Sequence, residues 1–256
     1  MPIHDWTKVY SGMFHDFHVG WSITIRNALN AGLLPKGMSA LVEHKVGVVE
    51  PDVLAVDTWA ASDGAAWGDR GGTAVLSVPA TRIVRKSDKE HYAERANRIV
   101  VQQPLGRTIA VIELVSPGNK DGKRKFGEFV EKSREFIARG IHLLVVDVFP
   151  PTKRDPQGIH QAIWDAFEDD YSFDLPLRKN RVAVSYKAGR DEKAAYVETF
   201  APGGTIPDMP LFLSEDFHVP VPLQSAYQTN WMTMTDELRR IVETGVLPGG
   251  GSAGGE

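Results

Sequence analysis

Glu113 stands in Thr-Ile-Ala-Val-Ile-Glu-Leu-Val-Ser-Pro (108–117), where an acid interrupts an almost unbroken apolar run. A carboxylate placed there stays ionised only if a cation, a metal ion or several hydrogen-bond donors meet it. About 60 residues earlier Asp52 follows Pro51 at the head of a second apolar run, and 19 residues after Glu113 comes Lys132. Two strand carboxylates and one lysine can hold a divalent metal beside a phosphodiester. Such an ion prefers a shell of one or two carboxylates, further oxygens and waters, and it lowers the pKa of a bound water. The expected site is therefore Asp52 and Glu113 on Mg²⁺ or Mn²⁺, with Lys132 orienting the attacking water or stabilising charge on the phosphate. Glu43, beside His44 and Lys45, is a candidate third ligand.

Each of these residues has a bland alternative. Asp52 could cap a turn after Pro51, Glu113 could pair with Arg107 or a helix lysine, Lys132 could be a solvated helix charge, and Glu43 could belong to an exposed alternating strand. What favours a site is their clustering in one order, since grouped strained titratable residues are more often functional than not. His18 reads as a hydrogen-bonded core histidine, His15 as exposed, and Ser116 as a residue that turns the chain out of its strand. No Walker loop, dinucleotide fingerprint, nucleophile elbow or His-Glu-x-x-His motif is present.

The elements that must position these groups follow from periodicity. A helix over about 15–31 carries Phe14, Phe17, Trp21, Ile25, Ala28 and Leu29 on one stripe with His18 inside it, and Gly32 is its expected stop. Residues 39–48 and 52–57 read as strands, 60–72 as a glycine-rich loop bearing Trp67 near the site, and 80–86 and 97–103 as further strands. The last of these should form a hairpin with the Glu113 strand. The apolar runs 108–115 and 142–149 read as a buried parallel pair, which requires a crossover supplied by a helix over 121–139. On that helix Phe126, Phe129, Val130, Ser133, Phe136 and Ile137 form the inner stripe, with Lys132 on its flank. Beyond Pro150-Pro151 the expectations are a short helix at 158–167, a strand pair at 181–187 and 194–200, an extended stretch at 209–222 and a helix at 236–244 capped by Thr235.

Composition sets the outer bounds. The 256 residues, 42% hydrophobic and 24% charged, suffice for one sizeable core with or without an appendage. The absence of cysteine removes disulfides and thiolate ligands, so any metal is held by oxygen or imidazole, and it fits a reducing cytoplasm. No signal sequence or membrane-spanning run is apparent. A net charge of −4 argues against non-specific coating of nucleic acid, although 120–139 holds seven Lys/Arg against four acids.

Taken together, Pro51-Asp52, Glu113 in Ile-Glu-Leu-Val-Ser-Pro, and Lys132 four residues before Phe136 and eight before Gly140 resemble the Uma-type branch of the PD-(D/E)XK restriction-endonuclease-like superfamily. More narrowly, Met-Pro-Ile-His-Asp-Trp, Phe-His-Asp-Phe-His, Asn-Ala-Leu-Asn-Ala-Gly-Leu-Leu-Pro and Phe-Pro-Pro-x-x-x-Asp-Pro-Gln-Gly-Ile-His resemble the bacterial family called domain of unknown function 4058. The resemblance covers roughly residues 1–170. It implies an α/β (α+β) restriction-endonuclease-like mixed sheet flanked by helices, and a metal-dependent nuclease that acts on nucleic acid. In the common superfamily pattern the lysine stands two residues after the strand acid, a position held here by Val115, so the Uma-type branch implies its migration to Lys132. The expected organisation is a nuclease-like domain at 1–170, an irregular extension at 171–247 packed on it or part of the same domain, and a disordered tail at 248–256. The alternatives to an enzyme are a catalytically silent module of that fold, for nucleic-acid or protein binding, and an oligomeric scaffold. If Lys132 serves the reaction and not the fold, replacing it or Glu113 leaves thermal stability nearly unchanged.

Overall fold

The computed structural model describes residues 2–42, 53–57, 83–87, 107–168 and 172–247. The expected loop at 60–72, the strand at 97–103 and the tail at 248–256 lie outside them. Nine strands and six α-helices are formed within the described residues.

One seven-stranded mixed sheet organises the chain, in the order β1 (Met38–Leu41), β2 (Val53–Asp57), β4 (Arg107–Leu114), β5 (His142–Asp147), β6 (Arg181–Ala188), β7 (Lys193–Phe200) and β3 (Ile83–Ser87). Among the described residues only β4 and β5 run parallel; the other pairings are antiparallel. The parallel pair sits at the centre, and β5 is buried at all six positions, its apolar run Leu143–Val146 flanked by the buried His142 and Asp147. The strands of Glu113 and of residues 53–57 and 142–147 are thus neighbours, as expected. β2 pairs with Arg107–Ile112 on one edge of β4, and β5 pairs with Ala110–Leu114 on the other.

Helices cover both faces. On one, α1 (Ser11–Ala28) lays Phe14, Phe17, His18, Trp21 and Ile25 against the sheet. It passes at Leu29–Leu33 into a wider turn in which Gly32 takes φ +119°, a conformation that glycine accepts without a Cβ penalty. On the other, α3 (Gly122–Ala138) packs Phe129, Val130 and Ile137 onto Val111, Val115, Leu143 and Val145. It ends at Gly140, φ +76°, where the Gly140 and Ile141 amides donate to Ile137 and Phe136, closing the last turn. The helix α4 (Ile159–Trp164) lies on the same face, tied to α3 by Arg134, whose guanidinium donates to the Ala162 carbonyl at 2.7 Å.

The last third joins the same sheet and core. β6 pairs with β5 along its length, and α5 (Leu223–Trp231), α6 (Asp236–Thr244) and the hairpin of β8 (Met209–Phe212) and β9 (His218–Val221) complete the core beneath α1. Residue 170 is therefore no boundary of the sheet. The Pro-rich stretch 209–222 hid a hairpin because proline removes ladder donors from a pattern otherwise apolar. Thr235 caps α6 as expected, accepting from the Leu238 amide.

α1 and α5 approach each other at Gly20, where Asn230 of α5 reaches across to donate to the Phe17 carbonyl at 2.8 Å. A Cβ on Gly20 would sit 2.1 Å from the Asn230 side-chain oxygen. Gly20→Ala should accordingly lose about 1–3 kcal/mol through a forced helix shift, measured by urea denaturation, while Gly127→Ala, which meets nothing, should not.

A second expectation concerns acid. His142 at the start of β5 is buried, and its Nδ1 accepts from the Ala188 amide at 3.0 Å. Burial pushes its pKa down from 6.5 to about 4. Between those values the unfolded chain binds the proton and the folded chain does not, so stability present above pH 6.5 is lost as pH falls toward 4. The loss is up to roughly 3 kcal/mol, and a His142→Gln variant melted across pH 4–7 should show a correspondingly flatter profile.

Candidate functional site

Glu113 is the seventh of eight residues in β4 and lies beside Val145 of the parallel neighbour. Side chains alternate along a strand, and Val111 and Val115 belong to the apolar layer under α3, so Glu113 shares their face. Its side chain is only 4% exposed, and Lys132, 10% exposed, reaches it from α3 with Nζ 2.7 Å from Oε1. Phe136, one turn further along, places its ring centroid 5.8 Å from the same amine. Lys132 therefore reaches the core from the flank of the helix stripe. Of the structural partners considered for Glu113, a helix lysine is in contact with it.

Asp52 and Glu43 lie outside the described residues. The nearest described position to Asp52 in sequence is Val53, which pairs with Ile112, the residue before Glu113. Among the described residues no group of three or more His, Asp or Glu side chains forms a metal cluster. His18 faces the sheet as expected, its Nε2–H donating to the Leu114 carbonyl at 3.0 Å, while His15 is exposed. Ser116 is occupied structurally: its amide and its hydroxyl both donate to the Asn119 side-chain oxygen, each at 2.8 Å, closing the short helix α2 (Pro117–Lys120).

A second buried charge group, which the sequence reading missed, lies at the carboxyl end of β5. Lys120 at the end of α2 sits 2.6 Å from Asp147 and 2.7 Å from Asp155, with all three side chains at most 4% exposed. Its amine also donates to the Pro150 carbonyl, while Asp147 accepts from the Phe149 amide and Asp155 from the Thr152 amide. Burial acts to lower the Lys120 pKa, but the two carboxylates outweigh it and hold the amine protonated above its ordinary range. Burial raises the Asp147 carboxyl, against the opposing pull of Lys120. The signal was an acid ending the apolar run at Asp147; what could not be read was which of seven nearby cations would answer it.

Comparisons with known protein families, with curated proteins and with solved structures returned no match. No helix among the described residues is long and apolar enough to cross a membrane.

Proposed function

We propose that this protein is a metal-dependent phosphodiesterase of the nuclease type, with Glu113 and Lys132 at its reaction centre and Asp52 as the second carboxylate. The reading rests on one observation: a carboxylate on the central parallel pair and a lysine from the crossover helix meet inside an apolar layer. That is the arrangement which migration of the lysine to Lys132 requires, and an apolar layer has no need of it for packing.

The donor chemistry fits Mg²⁺ or Mn²⁺, since such ions accept one or two carboxylates and fill the remaining positions with water. Asp52, Glu113 and, in the fullest set, Glu43 would hold the ion. When bound, it neutralises developing charge and acidifies water. Lys132 positions the carboxylate in the free protein and, once Glu113 is engaged elsewhere, presents its ammonium to an anionic phosphate oxygen. The apolar walls formed by Val111, Val145 and Phe129 keep water away and strengthen each of these interactions.

A second reading is favoured by the 2.7 Å contact itself: the pair braces α3 against β4 in a catalytically silent module that binds nucleic acid or another protein. Calorimetric titration of the parent with Mn²⁺, followed by cleavage assays on single-stranded and duplex DNA and RNA, separates the two. A nuclease binds the ion and cleaves, and the Glu113→Gln/Lys132→Met double variant loses about 100-fold or more in rate. If the parent neither binds Mn²⁺ nor cleaves any of these substrates, the silent module is the reading that stands.

A further inference from the structure

A cavity of about 810 Å³ opens at the carboxyl ends of β4 and β5, between the first turn of α1, α2 and the loop after β5. Glu113 and Lys132 are not among its lining residues, so it is separate from the proposed reaction centre. We propose that this cavity binds a phosphate-bearing small molecule of nucleotide size.

Three features carry the assignment. The place is right: in open α/β sheets ligands collect outside the carboxyl ends of parallel strands, and among the described residues β4 and β5 are the one parallel pair. The size is right, since small-molecule sites run from roughly 300 to 1,000 Å³. Cationic donors are also present, because Lys125 and Arg154 line the cavity beside its one lining acid, Asp121.

The lining cations are not equivalent. The charge of Lys120 is met by Asp147 and Asp155, so its role is to hold the wall. Lys125 pairs with Asp121 at 3.0 Å, but both side chains are about half exposed or more, and a pair so open to solvent is weak enough to exchange for a phosphate. Arg154 donates one guanidinium N–H to the Lys120 carbonyl at 3.1 Å, which fixes the fork on the wall with further donors to spare. α1 adds the positive end of an 18-residue helix, whose N-cap, Tyr10, provides no side-chain cap. Pro117, Phe149 and Pro150 supply an apolar wall for the organic part of the ligand.

The test is calorimetric titration of the full chain with adenosine 5′-monophosphate, inorganic phosphate and adenosine. The nucleotide should bind saturably at one site, with adenosine at least about tenfold weaker, and Arg154→Ala and Lys125→Ala should each weaken it about tenfold or more. Gly118→Leu should abolish binding by filling the cavity, because a Cβ at Gly118 meets only the Ser116 hydroxyl at 3.5 Å and the backbone can accept it. Equal affinity for inorganic phosphate assigns the site to the free anion, and tighter nucleotide binding assigns it to a nucleotide; either supports a phosphate site. The Glu113→Gln/Lys132→Met variant should bind the nucleotide as the parent does, whatever becomes of cleavage. Failure of both phosphate probes to bind, or binding undiminished in all three cavity variants, overturns the proposal.

Discussion

Glu113→Gln and Lys132→Met, made singly, should each lower unfolding free energy by about 3 kcal/mol, and the double variant should lose clearly less than the two losses added. With side chains 4% and 10% exposed, neither charge has enough water to replace its partner. Removing one member of such a pair strands the other in the apolar layer of Val111, Val145 and Phe129, whereas removing both strands nothing. Chemical denaturation of the four proteins closes the cycle. This revises the expectation from sequence that stability would be nearly indifferent to either change. That expectation treated Lys132 as serving the reaction alone, and the ion pair gives it a structural task as well. Activity must therefore be compared at a temperature where every variant is folded, since a loss of cleavage by an unfolding single variant says nothing about catalysis. Four proteins of additive stability would mean that the two charges do not interact in solution, and the proposed reaction centre would lose its supporting contact.

Much of the frame was legible because long, strongly periodic segments leave little choice. The run 108–115, the amphipathic stretch 121–139 and the run 142–149 can form a parallel pair only through a helical crossover, and β4, α3 and β5 do so. The stripe of Phe14, Phe17, Trp21 and Ile25 likewise placed α1 on the sheet, with His18 inward on the Leu114 carbonyl. Strand neighbours that sequence separation does not constrain were harder. β3 pairs with β7 at the far edge of the sheet, over a separation of more than 100 residues, and nothing local to Ile83–Ser87 encodes that partner. The strands β6 and β7 were recognised as a pair, but their junction with β5 depends on a face fully buried only in three dimensions. For the charged groups, Glu113 stood out as an acid inside an apolar run, and the choice of Lys132 rested on the resemblance carried by its spacing to Phe136 and Gly140. Asp155 lies in the loop after β5, whose path no periodicity describes, and that loop brings it back to Lys120 across α3 and β5.

The largest expected effect belongs to that loop-built group. Lys120→Met should cost about 4 kcal/mol or more at neutral pH, a large fraction of a domain's total stability, because it leaves Asp147 and Asp155 facing each other without a cation. Asp147 is 1% and Asp155 2% exposed, so water cannot take the place of the amine. The pH dependence of the variant supplies a signature that simple loss of packing lacks. In the parent, the lysine opposes the upward push of burial on Asp147. Without the lysine, that push and the repulsion of the neighbouring carboxylate lose their largest opponent, the Phe149 amide still donating to Asp147, and the folded-state pKa rises further above the unfolded value. A carboxyl raised in the folded state binds its proton preferentially there, so the stability it contributes is present at low pH and lost as pH climbs through the folded pKa. The urea midpoint of Lys120→Met should therefore rise on going from pH 8 to pH 5. The parent should move the other way over the lower part of this interval, as His142 begins to favour the unfolded chain. A triple variant, Lys120→Met with Asp147→Asn and Asp155→Asn, should recover part of the loss and show no such rise. If Lys120→Met instead follows the parent's pH profile with a constant offset, the three side chains act as packing and not as a coupled charge group.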